Sequence, residues 1–174
     1  MTDINARAKA IRLIALDVDG VMSDGCVVYG NNDEETKAFN IKDGLGIKLA
    51  QSAGIEVAII TGRTTSLLAR RANELGIKAL IQGREDKLTA LKELANSRDL
   101  NLAQCAYMGD DLPDLSAIIT AGLGACPADA VADIKFHSDW ISSVSGGRGA
   151  VRDLCEFILK AQGHWPSVLA TYKS

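Results

Sequence analysis

Nothing in this chain of 174 residues forms a Cys-x-x-Cys pair. The four cysteines (Cys26, Cys105, Cys126 and Cys155) are scattered, mostly in apolar stretches, and His137 and His164 lie far from any of them in sequence. That pattern argues against a zinc centre and for buried, reduced thiols in a cytoplasmic protein. Long apolar runs are missing as well. None approaches the roughly 20 residues of a membrane span, so no membrane partner is expected. Residues 1–12 are polar and of mixed charge, without the apolar core of a secretory signal. There is no basic excess: the net charge of −3 gives no electrostatic reason to expect nucleic acid. Repeats and low-complexity tracts do not occur, and prolines number only three. What is present, 47% hydrophobic and 24% charged residues, suits a single domain over 1–174 that buries its core without disulfides.

Short β-branched runs alternate with longer helical patterns, which predicts an α/β fold, a Rossmann-like doubly wound parallel sheet. After the first strand a β-hairpin is expected over about 25–40, with strands at 27–29 and 36–39 around a Gly30-Asn31-Asn32-Asp33 turn. Helices are expected over 43–53 and 64–75, closed by Gly54 and Gly76, and over 87–95. Two more are expected over 112–121, with Pro113 in the first turn, and over 150–162. Residues 123–126 and 136–140 read as two further strands, and the tail 164–174, with Pro166, as non-helical.

Polar groups gather where the apolar runs stop. The run 11–16 ends in Asp17-Val18-Asp19-Gly20, and the run 57–60 ends in Thr61-Gly62-Arg63. Lys87 follows the run 79–81, and the run 106–108 leads into Gly109-Asp110-Asp111 with Asp114 beyond. If the runs are parallel strands, these groups meet at the carboxyl edge of one sheet, where open α/β sheets bind ligands. Alone, each has an ordinary role: a turn former, a helix cap, a solvated lysine. Together they make a magnesium-dependent phosphoryl-transfer site. A carboxylate nucleophile, Asp17, divides phosphate monoester hydrolysis into two easier steps. Asp19 protonates the leaving oxygen and then deprotonates water. Thr61, the Gly62 and Arg63 amides, and Lys87 hold the phosphoryl oxygens. Mg²⁺ takes hard oxygen ligands from Asp17 and Asp110, with Asp111 and Asp114 behind them. A phosphoacceptor receiver domain uses similar parts but accepts on an Asp after its third strand, where this chain has Gln82-Gly83.

Asp17-x-Asp19-Gly20, Thr61-Gly62-Arg63, Lys87 and Gly109-Asp110-Asp111-x-x-Asp114 together resemble the haloacid dehalogenase superfamily of phosphohydrolases. Segments 37–47 and 146–152 are similar to those of its branch acting on keto-sugar-acid phosphates. That resemblance implies an eight-carbon substrate, a nine-carbon one being the alternative. It implies that Asp19 also ligates the metal through its carbonyl. It further implies that Asn40, Ile41, Lys42, Asp43 and Gly44 contact the sugar, and that Arg63 and Arg71 hold the anionic substrate. Weaker candidates are Lys48, an exposed helix charge by default, and Arg148 and Arg152, which would reach substrate across a subunit contact.

Between Asp19 and Thr61 there is room for the hairpin and one helix, and between Lys87 and Asp110 for one helix and a strand. Neither insertion makes a cap domain with its own core. An acyl phosphate left open to water loses specificity, so the lid is expected from another subunit. Exposed hairpin edges are association surfaces, and capless relatives are tetrameric. A homotetramer is therefore expected, with a neighbour's C-terminal tail covering each site.

Overall fold

The computed structural model describes residues 3–32 and 34–173. Its centre is a six-stranded, wholly parallel sheet in the order β5-β4-β1-β6-β7-β8. These strands are β1 (Leu13–Leu16), β4 (Glu56–Ile60), β5 (Ala79–Ile81), β6 (Cys105–Met108), β7 (Leu123–Cys126) and β8 (Trp140–Ile141). The central strands are continuous apolar runs because helices cover both faces of a parallel sheet. Side chains alternate across it. Ile14, Leu16, Val57 and Ile59 face one way, packing with α1 (Ile4–Ala10), α2 (Ile41–Ser52), α3 (Ser66–Glu74) and α7 (Ala150–Ala161). Leu13, Ala15, Ala58 and Ile60 face the other, toward α4 (Lys87–Asn96), α5 (Leu115–Thr120) and α6 (Ala132–His137). The chain winds outward from β1 through β4 to β5, then returns to place β6 on β1's other side. Loops after β1 and β6 therefore diverge, leaving a crevice at the switch point.

A small antiparallel sheet pairs β2 (Val28–Tyr29) with β3 (Glu35–Thr36), shorter than the expected hairpin strands. Gly30 N–H donates to Glu34 O at 2.7 Å across its turn; Asp33 lies outside the described residues. The helix expected from 64 begins at Ser66 because Thr65 is its cap, its hydroxyl accepting the Leu68 N–H at 3.2 Å. The helix expected over 112–121 is a 3₁₀ turn, Leu112–Asp114, followed by α5.

Three expectations fail. Residues 136–140 are not one strand: Phe136 and His137 close α6, and only Trp140–Ile141 pairs with β7. Ile134 is buried while Phe136 is exposed, so the segment follows helical rather than alternating burial. The tail forms α8 (Trp165–Thr171), with Pro166 in its first turn, where a missing N–H costs little. Trp165 takes Arg152 and Lys160 over its ring at 5.6 and 5.2 Å, fixing α8 on α7. Finally, Cys26 is exposed, whereas Cys105, Cys126 and Cys155 are buried; all four are free thiols. No helix among the described residues is long and apolar enough to cross a membrane.

Candidate active site

The crevice beyond β1 and β6 is a cleft of about 300 Å³ lined by Asp17, Asp19, Thr61, Gly62, Arg63 and Lys87 together with Asp110, Asp111 and Asp114. Asp17 N–H donates to Met108 O at 2.9 Å, seating the carboxylate beside the β6 loop. The next turn needs glycine: Gly20 has φ 86°, and a Cβ there would stand 1.9 Å from Asp110 Oδ2.

Lys87 opens α4 with its side chain buried, and its ammonium donates to Asp17 Oδ1 at 2.5 Å, Ile60 O at 3.0 Å and Asp114 Oδ1 at 3.4 Å. Burial alone would lower its pKa, but the charges of Asp17 and Asp114 outweigh it and raise the ammonium above its ordinary value. Asp114 is a brace. It accepts from Tyr107 Oη at 2.6 Å and from the Asp110 and Asp111 amides at 3.1 and 3.5 Å. Its lone pairs are thereby engaged, while Asp17 and Asp110 keep oxygens facing the cleft.

Asp17, Asp110 and Asp114 bring one carboxylate oxygen each within 4.8 Å of one another. Burial, then the charge of Asp114, raises Asp17 to about 6 against the pull of Lys87. Burial, then Asp114 and Asp17, raises Asp110 to about 7. Carboxylates held this way favour ionisation once a cation joins them. The donors are all hard oxygens, so Asp17, Asp110 and Asp114 form a cluster that fits Mg²⁺.

Thr61 is buried, and its hydroxyl oxygen accepts from the Arg63 N–H at 3.3 Å. Arg63 forks onto Glu35 at 3.1–3.2 Å and lies 3.8 Å from Asp19 Oδ2. Asp19 also accepts from Lys37 and from Ser23 Oγ at 3.3 Å.

The residues tied to the sugar by resemblance lie outside the cleft lining. Asn40 caps α2, its side chain accepting the Lys42 N–H at 2.8 Å. Ile41, Lys42 and Lys48 are exposed. Asp43 is buried, and its Oδ1 accepts the Arg152 N–H at 2.8 Å, at the start of α7. Gly44 lies under Arg71, where a Cβ would stand 2.6 Å from Nη2. Arg71 lines a separate recess with Lys37, Phe39 and Leu67. Arg148 reaches Asp24 at 3.5 Å and Arg152 reaches Glu156 at 2.8 Å.

Three residues near the site carried no expectation. Tyr107 passed as an apolar strand residue, although a hydroxyl two places before Gly109 is the signal. Glu85 lines the cleft and stands where a side chain at Gly62 would go, 2.0 Å from its Cβ position. Lys37 falls in the expected hairpin strand 36–39 and in the segment 37–47 that carries the resemblance, with no role of its own there.

A carboxylate pair at the tip of β1, a buried lysine and an acidic loop after β6, all at the switch point of a parallel sheet, define a haloacid dehalogenase-like hydrolase. Residues 80–151 match the family model of that description. Across 161 residues the chain is 47% identical to the 3-deoxy-D-manno-octulosonate 8-phosphate phosphatase KdsC of Escherichia coli, covering 92% of this chain and 86% of that protein. The Yersinia pestis enzyme of the same name is 48% identical over 160 residues, at 92% and 86% coverage. The chain belongs to the 3-deoxy-D-manno-octulosonate 8-phosphate phosphatase family. Among solved structures, that of the Moraxella catarrhalis phosphatase with magnesium, phosphate and a KDO molecule superimposes with a TM-score of 0.97 at 48% identity, covering 99% of each chain. The cobalt-bound Haemophilus influenzae phosphatase gives 0.87 at 40% identity, over 90% of this chain and 92% of that one.

Proposed function

We propose that this protein is a magnesium-dependent phosphatase converting 3-deoxy-D-manno-octulosonate 8-phosphate (Kdo 8-phosphate) to Kdo and phosphate, a cytoplasmic step in making lipopolysaccharide. The observation that carries the reaction is Asp17, held by Lys87 at 2.5 Å at the mouth of a cleft shared with Asp110. The substrate is supported by the family and by the KDO molecule in the Moraxella relative. Three buried free thiols support a reducing compartment.

Asp17 attacks phosphorus, an Asp17 Oδ–P bond forms, and the ester P–O bond breaks as Asp19 gives its proton to the departing sugar oxygen. Water then attacks the acyl phosphate, Asp19 takes its proton, and Asp17 is regenerated. Thr61, the amides of Gly62 and Arg63, and Lys87 hold the phosphoryl oxygens where charge develops. Mg²⁺, held by Asp17, Asp110 and the Asp19 carbonyl, supplies charge neutralisation at the phosphoryl group. Asn40, Ile41, Lys42, Gly44, Arg63 and Arg71 bind the sugar acid. Asp43 acts with them by fixing the start of α2 against α7.

A panel of sugar phosphates compared by kcat/KM with magnesium tests the substrate. Kdo 8-phosphate is expected to exceed nine-carbon keto-acid 9-phosphates by at least about tenfold, the scale of a one-carbon difference in a pocket. The opposite order would make it a nonulosonate 9-phosphate phosphatase. Release stopping near one phosphate per chain would instead indicate a receiver domain.

The assembly we propose is a homotetramer in which a neighbour's tail covers the cleft. Support comes from the hairpin, whose Val28 and Tyr29 are 56% and 70% exposed. Light scattering is expected to give four times the 18.4 kDa chain. A fully active monomer would overturn this assembly.

A further inference from the structure

We propose that Lys37 is a positioning residue for the acid–base group, an inference resting on the phosphatase reading: its ammonium holds the Asp19 carboxylate where the leaving oxygen must be protonated. Lys37 follows β3 directly, at the exit of the hairpin. Its side chain is only 2% exposed, and its ammonium donates to Asp19 Oδ1. A buried ammonium is costly unless paired, so the two groups fix each other's place.

The other contacts of Asp19 are weaker. Ser23 Oγ approaches the same oxygen at 3.3 Å, and Arg63 Nε stands 3.8 Å from Oδ2. Arg63 is itself drawn off by Glu35, which it grips at 3.1 and 3.2 Å. Glu35 lies in β3, so the hairpin both supplies the cation that holds Asp19 and restrains the one that competes for it. Without Lys37 the carboxylate turns toward Arg63. General acid catalysis requires hydrogen-bond reach to the leaving oxygen, and a displacement of about 1 Å costs on the order of 10²-fold. Lys37 keeps its proton throughout: it donates to Asp19 Oδ1, and the proton given to the alcohol is one that Asp19 takes up from solvent on its other oxygen, Oδ2, before the ester bond breaks.

The role is separable from general support of the fold by the leaving group. An alkoxide needs its proton as the P–O bond breaks, whereas p-nitrophenolate departs without one. The parameter kcat/KM covers steps only up to release of the alcohol. For Lys37→Met it is expected to fall about 10²-fold with Kdo 8-phosphate but less than about 5-fold with p-nitrophenyl phosphate, within the range of acid–base contributions. Asp19→Asn should show the same selectivity. Lys37→Arg, which keeps a cation, should restore the wild-type ratio of the two substrates, and it carries the test if the methionine variant fails to fold. Equal losses on both substrates, or a methionine-like ratio for the arginine variant, would overturn the proposal. A wild type that turns over p-nitrophenyl phosphate but no sugar phosphate would overturn the substrate reading instead.

Discussion

Asp17→Asn is expected to melt at or above the wild-type temperature yet release phosphate at least about 10⁴-fold more slowly. The two halves have separate causes. Asp17, Asp110 and Asp114 crowd their oxygens within 4.8 Å, and burial with the neighbouring charge has already raised Asp17 to about 6. An amide removes one of three repelling charges and keeps an oxygen to accept the Lys87 hydrogen bond, now 2.5 Å long. Stability therefore does not suffer. The chemistry does, because an amide oxygen cannot attack phosphorus and leave as a carboxylate. Acid-quenched wild type should carry a phosphoryl group on Asp17, and the variant none. Phosphate release by the variant within tenfold of wild type would remove Asp17 as nucleophile, whatever its melting temperature.

The parts of this site legible in the sequence are those set by the sheet. Runs such as 13–16 and 57–60 are apolar on both faces because a parallel sheet is covered twice. Their ends are therefore sharp, and Asp17, Thr61 and Asp110 stand out as the first polar groups beyond them. Contacts made sideways were not legible. Asp43 lies in a segment that resemblance ties to the sugar, yet its carboxylate accepts from the first turn of α7, more than a hundred residues later in the chain. Spacing gives the face of a helix but not what that face meets. Tyr107 was hidden by β6, where one aromatic among apolar neighbours looks like core until its hydroxyl is placed 2.6 Å from Asp114. Pro166 misled through position: proline stops a helix from within and tolerates its first turn. Phe136 and Trp140, an even number of residues apart, look like one face of a strand, but α6 closes between them and leaves Phe136 exposed. None of these failures moves a strand that carries the cleft.

Chelation of magnesium is expected to abolish turnover and, on re-addition, to reveal competition between metal and proton. Ionised carboxylates bind Mg²⁺, and protons must leave before the metal enters. In the chelated protein Asp110 titrates at about 7 and Asp17 at about 6. Both are raised carboxyls, so protons occupy the site well above the ordinary carboxylate range. The sign follows: magnesium affinity is full above about pH 8 and falls as pH drops through 7 and then 6. The concentration giving half-maximal activity should rise on the order of tenfold between pH 8 and pH 6. The raised carboxyls also make folding of the chelated protein more favourable toward pH 5 than at pH 8, because the folded state then holds protons that the unfolded chain has released. Magnesium should therefore raise the melting temperature more at pH 8 than at pH 6. Titration of activity and of melting temperature with MgCl₂ at the two values checks both statements. An affinity flat across that range would mean that the metal is held by groups other than Asp17 and Asp110.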